Sequence, residues 1–159
     1  MAIKVIYYIT KGRCYTMKFV QPKKLLYLAG PWFTPEQEKV YNKVICEITC
    51  RYNDWEIFIP RYYKVPDGEN MPNHEWGQAV CNHDTHMLER ADLVFAIDWG
   101  FNADVGTAFE VGFAAARNIK TILYVPHGVE TVSCMLHGWA DEVLDGNFNK
   151  CFAFEKEWK

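Results

Sequence analysis

Two carboxylates stand where burial should penalise a charge. Glu110 falls in Asp104-Val-Gly-Thr-Ala-Phe-Glu110-Val-Gly-Phe-Ala-Ala-Ala116, among Ala108, Phe109, Val111, Phe113 and Ala114. An acid in so apolar a segment needs either a partner or a chemical task. Asp84 falls in Cys81-Asn-His-Asp84-Thr-His-Met87. Placed on two sides of one ligand, such a pair can divide a substitution between them, one as nucleophile and one as proton donor. Asp104 has a plainer explanation, because it opens a helix, where an acid caps free N–H groups and meets the positive end of the dipole.

Other chemistries find less support. His83, Asp84 and His86, with His74 upstream, raise a metal site, but no single helical face carries all three, and neither HExxH nor paired CxxC accompanies them. The histidines read as surface residues, and no metal is expected. The absence of a Walker loop and of GxGxxG argues against ATP or NAD bound by those routes, there is no Gly-x-Ser-x-Gly elbow, and Cys134 has no evident base. A formal net charge of −3 excludes a broad phosphate-binding surface, so no nucleic-acid partner is expected. No run approaches the length of a membrane span. The six cysteines are scattered through apolar patterns and read as reduced core thiols of a cytoplasmic protein.

The elements that must position the acids alternate. Residues 1–22 form an N-terminal extension in which two β-like runs, Ile3 to Ile9 and Cys14 to Val20, flank Lys11-Gly12-Arg13 as a hairpin would. Residues 23–159 form one domain. Within it Leu25 to Ala29 is a buried strand. Thr34, Pro35 and Gln37 spell a helix start, as cap, first-position proline and capping-box glutamine, for a helix reaching Tyr52. A second strand spans Trp55 to Ile59, followed by a loop over 61–73 of the length that functional lids have. Then come a helix from His74 to Glu89, a strand over 91–97 and the helix bearing Glu110. A strand over 119–125, a short helix or turn within 131–138, a short strand over 141–144 and a C-terminal arm over 148–154 complete the chain. Such alternation means a parallel α/β sheet with helices on its faces and a site at the carboxyl ends of the strands. With 6 Trp, 9 Tyr and 10 Phe, the chain has more aromatic surface than so small a core can hide, which suggests an aromatic-lined pocket, a subunit interface, or both.

In this order and spacing, Leu26-Tyr27-Leu-Ala-Gly30-Pro-Trp-Phe33, Asn82-His-Asp84, Asp104-Val-Gly-Thr-Ala-Phe-Glu110-Val-Gly112 and Phe148-Asn-Lys150 resemble the nucleoside 2-deoxyribosyltransferase family over about residues 24 to 155. The resemblance implies a flavodoxin-like, five-stranded parallel sheet and cofactor-free exchange of the base of a 2'-deoxynucleoside. By match to the motifs, Glu110 would attack C1' and form a covalent deoxyribosyl-enzyme with net retention. Asp84 would protonate the departing base and deprotonate the incoming one. Tyr27 would orient Glu110, and Asp104 would bind the sugar 5'-hydroxyl. Met135 matches a position that reaches into a neighbouring subunit's site, so the resemblance also implies a homo-oligomer. Gly30, Trp32, Phe33 and the 61–73 loop would enclose deoxynucleoside and free nucleobase against water.

Two departures bear on substrate. Where the family often places a base-reading glutamine, the chain has Pro60-Arg-Tyr-Tyr-Lys64, which leaves the base preference open and makes Lys64 a candidate substrate-binding residue. Ser133 stands where the transferases tend to carry asparagine and the related 2'-deoxynucleoside 5'-monophosphate N-hydrolases carry a phosphate-binding serine, which makes nucleotide hydrolysis the alternative. Asp104 opposes that alternative, since a carboxylate beside the 5' position repels a phosphate dianion.

Overall fold

The structure is a computed structural model that describes residues 4–10, 13–19 and 23–146, with side chains described over 23–146. The C-terminal arm, with the Phe148-Asn-Lys150 motif, lies outside the described residues, as do Cys151 and the side chains of the N-terminal segment. Strand β1 (Lys4–Thr10) pairs antiparallel with β2 (Arg13–Phe19), apart from the main sheet.

The main sheet holds β3 (Leu25–Ala29), β4 (Glu56–Phe58), β5 (Leu93–Ile97), β6 (Lys120–Val125) and β7 (Glu142–Asp145), all parallel, in the order β4-β3-β5-β6-β7. Counted among themselves, the five strands run second, first, third, fourth, fifth, which is the flavodoxin-like order. The connection from β3 leaves toward β4 on one side, while β5 lies on the other. This reversal opens a crevice beyond the carboxyl ends of β3 and β5, where ligands of such sheets bind.

Strand β3 is buried on both faces and its side chains alternate between two cores. Leu26 and Leu28 join Phe95, Ile97, Ile122 and Tyr124 under helix α1 (Pro35–Arg51), through Tyr41, Val44 and Ile48. Leu25, Tyr27 and Ala29 face the other way, with Val94, Ala96, Leu123 and Val125. That second face meets helix α2 (Asn73–Arg90) through Met87 and Leu88, and α3 (Val105–Ala116) through Val111 and Ala114. The short α4 (Cys134–Trp139) packs there through Leu136. Tyr27 is therefore aimed at the side that carries Asp84 and Glu110.

Helix α1 starts as the sequence dictates. Thr34 accepts a hydrogen bond from Gln37 N, and Gln37 Oε1 accepts from Thr34 N at 3.1 Å and from Phe33 N at 3.0 Å. The buried Gln37 thus also fixes the loop that follows β3. Two further pins were not expected. Asp92 Oδ2 accepts from Leu25 N at 2.8 Å, and Asp141 Oδ2 accepts from Thr121 N at 2.7 Å. In each case an aspartate just before one strand satisfies an N–H at the start of its neighbour.

One expectation fails on exposure. Cys46, Cys50, Cys81 and Cys134 are free and exposed rather than core thiols. Cys46 and Cys50 each follow the buried Val44 and Ile48 by two residues, about 200° round the helix, which turns them to solvent.

Candidate active site

The site is built from one strand and two helices on the second face. Tyr27 of β3 is fully buried, and its Oη donates to Glu110 Oε1 at 2.5 Å. Glu110 sits six residues into α3, where the helix faces the sheet. Its pKa is pushed up to about 8, first by burial and then by the negative charges of Asp84 and Asp104, while the Tyr27 hydrogen bond acts in the opposite direction. Glu110 thus lies within electrostatic reach of both aspartates. The Tyr27 hydroxyl is held far above its ordinary range by burial and by the Glu110 charge, so it remains a proton-bearing donor.

Asp84, on α2, is half-buried, and burial also pushes its carboxyl up, partly offset by His83. Its Oδ1 is enclosed without a hydrogen-bond partner. Asp104 caps α3, with Oδ2 accepting from Thr107 N at 2.8 Å and Thr107 Oγ1 at 2.9 Å. The capping explanation for Asp104 therefore describes its Oδ2. Its Oδ1 makes no hydrogen bond among the described residues.

The loop after β3 follows Tyr27 closely in sequence, and its Trp32 packs against the core under α1. Gly30 is buried at φ +152°, and a Cβ there would lie 2.9 Å from Ile97 Cβ, so only glycine lets the chain pass β5. Trp32 packs edge-on against Tyr41 with ring centroids 5.3 Å apart, and the exposed Phe33 leans on Trp32. Across the site, the segment after β4 opens with a 3-10 turn over Pro60–Tyr62. Arg61 ties it to α1 by an ion pair with Glu38 and a hydrogen bond to Asn42. Lys64 follows, exposed.

Among the described residues, no hydrogen bond or ion pair links Lys64, Ser133 or Met135 to the three acids. Ser133 is the N-cap of α4, its Oγ accepting from Met135 N at 3.4 Å, and Met135 is exposed. No group of three or more His, Cys, Asp or Glu side chains converges as a metal site would among the described residues.

Sequence reasoning missed His83. Its ring is half-buried rather than on the surface, stacked on Tyr63 with centroids 3.4 Å apart at 7°, and also contacts Phe58. Phe58 packs in turn on Tyr27 at 5.3 Å. The available signal was the spacing of Phe58 and Tyr63 around the strand end, but only the fold brings both to α2.

A carboxylate held by a buried tyrosine, with a second carboxyl within its field, thus stands on one face of a flavodoxin-like sheet. A model described as nucleoside 2-deoxyribosyltransferase matches residues 26–146, most of the chain, and the chain belongs to that family of enzymes. It is 25% identical over 146 residues to a nucleoside deoxyribosyltransferase of Lactobacillus leichmannii, covering 81% of this chain and 92% of the relative. The solved 2-deoxyribosyltransferase of Bacillus psychrosaccharolyticus superposes with a TM-score of 0.65 at 25% identity, covering 80% of this chain and 95% of that one. A CMP N-glycosidase of Clostridium botulinum shares the fold at a TM-score of 0.53 and 21% identity, over 80% and 92% of the two chains.

Proposed function

We propose that the chain exchanges the base of 2'-deoxynucleosides through a covalent deoxyribosyl-Glu110 intermediate. The observation that carries this reading is the Tyr27–Glu110 hydrogen bond at 2.5 Å beside Asp84. Ionised Glu110 attacks C1' as the C1'–N bond breaks, its electron pair leaves with the base, and Asp84 gives the base a proton. A second base then attacks C1' from the side the first one left, returns a proton to Asp84 and releases Glu110. Two displacements give retention. The oxocarbenium-like transition states draw on the negative charge of Glu110 in both steps. Tyr27 donates to Oε1, which leaves Oε2 to bond with C1'.

Asp104, through Oδ1, takes the 5'-hydroxyl of the sugar, and its charge disfavours a 5'-phosphate. Gly30, Trp32, Phe33 and Lys64 line the substrate side, and Met135 of a neighbouring copy completes the base pocket in a cytoplasmic homo-oligomer.

The test is incubation with deoxyinosine or thymidine, with and without adenine, followed by chromatography. Deoxyadenosine should form only when adenine is supplied, and Glu110→Ala should abolish it while the circular dichroism spectrum is unchanged. Full exchange by that variant would overturn the assignment of the nucleophile. Free base without a new nucleoside, released from the 5'-monophosphate, would replace transfer by nucleotide hydrolysis.

A further inference from the structure

His83 and Asp84 are sequence neighbours on α2, and adjacent side chains on a helix ordinarily diverge. Here the imidazole is turned so that Nδ1 lies 3.6 Å from Asp84 Oδ1. Both atoms are buried, and neither has a hydrogen-bond partner. One can donate and the other accept. A movement of about half an ångström would bring them to ordinary hydrogen-bond distance, and it would satisfy two enclosed polar atoms at once.

The ring is held in that orientation by two aromatic neighbours. Tyr63 lies parallel to it at 3.4 Å, and Phe58 contacts it at 5.3 Å. The contacts continue through Phe58 to Tyr27 and so to Glu110. The ionisable groups within electrostatic reach of Asp84 from other elements are Glu110 on α3, Tyr27 on β3 and Tyr41 on α1, none of which favours its negative form. Among the described residues, His83 is the one group paired with Asp84 that can stabilise that form.

We propose that His83 is a positioning residue for Asp84: its Nδ1–H tautomer donates to Oδ1, fixes the plane of the carboxyl and stabilises the carboxylate left when the proton on Oδ2 passes to the departing base. The balance is closed. The Oδ2 proton goes to a nitrogen of the base, the C1'–N electron pair leaves with the base, and the Nδ1 proton stays on His83. When the second base attacks, its proton returns to Oδ2. The role follows from the assignment of Asp84 as proton donor, but the contact itself is independent of substrate.

The test is carbon-13 carboxyl NMR on the full-length chain without substrate, with the Asp84 signal assigned by Asp84→Asn. In His83→Phe, which keeps the stacking and removes the nitrogen, Asp84 should titrate about one pH unit higher than in the wild type, the size expected for loss of one hydrogen bond to a charged group. In His83→Asn, whose amide nitrogen takes the place of Nδ1, the titration should return most of the way. The kcat for base exchange should fall roughly tenfold in the Phe variant, the same free energy, with KM little changed, and recover with Asn. Nitrogen-15 shifts of His83 in the wild type give a reading that needs no variant and should report the proton on Nδ1. An Nε2–H tautomer, or an unchanged Asp84 midpoint in His83→Phe, would overturn the proposal. If the midpoint moves and yet no base exchange is found in the wild type, the contact stands and the deoxyribosyl-transfer reading fails.

Discussion

As the proposed nucleophile, Glu110 must be ionised to attack carbon, yet its surroundings favour the proton. Burial and two neighbouring acids push its pKa up to about 8, against an ordinary carboxylate value of 4.5, and only the Tyr27 hydroxyl opposes them. The conflict fits the proposed nucleophile of the first displacement, because a carboxylate stabilised too well in the empty site gains little by bonding to C1'. It also carries a stability consequence with a definite sign. The folded state holds this proton more tightly than the unfolded chain, so the contribution is fully present below about pH 4.5 and is lost as pH rises to about 8. Glu110→Gln keeps the shape and an acceptor for Tyr27 but cannot ionise. It should match the wild type in stability near pH 4 and exceed it increasingly up to pH 8, by roughly 3–5 kcal/mol at the plateau. Urea denaturation at a series of pH values measures this. A constant difference between variant and wild type would mean that Glu110 is not held protonated by the fold.

At the scale of elements, much was legible because local chemistry and fold agree. Thr34, Pro35 and Gln37 announce α1 where it begins, and the apolar runs over 25–29, 91–97 and 119–125 contain the three central strands. Edge strands were less legible: β4 covers only Glu56–Phe58 of the run from Trp55 to Ile59, since Pro60 starts a 3-10 turn. Asp92 and Asp141 could not be read at all, because each acts on a strand far away in sequence. Asp92 accepts from Leu25 N, while its own N–H donates to Leu25 O at 2.8 Å, which closes a reciprocal pair at the amino end of β3. Asp92→Ala leaves Leu25 N without its acceptor and should lower stability by about 1–2 kcal/mol, with base-exchange kcat unaffected because the site lies at the opposite end of the strands. Thermal unfolding of the variant beside an exchange assay checks both parts. A loss of activity without a loss of stability would contradict this division between the two ends of the sheet.

At the scale of the molecule, the apolar surface is distributed unevenly. Phe33 is 69% exposed, Phe101 84%, Val105 85%, Met135 66% and Trp139 62%. They come from the loops after β3 and β5, the first residue of α3, and α4, elements that border the site or pack beside it. Scattered apolar residues are ordinary on a monomer, but this many large ones on the loops after β3 and β5 and on α3 and α4 are better explained by a covering surface. The proposed homo-oligomer supplies that surface from a second copy, and it gives the exposed Met135 a task that its own subunit does not. The consequence is that assembly and activity should fall together. Sedimentation of the full-length chain should give a mass at least twice 18.6 kDa. Trp139→Glu places a charge in the contact and should shift the mass toward the monomer, with base-exchange activity at dilute enzyme falling at least tenfold and recovering in part as enzyme concentration rises. Tyr27, Asp84, Glu110 and their contacts all lie within one chain, so the fold of the variant should be intact by circular dichroism. A wild-type chain that sediments as a monomer while exchanging bases at full rate would show that one subunit closes its own site, and Met135 would then lose its assigned role.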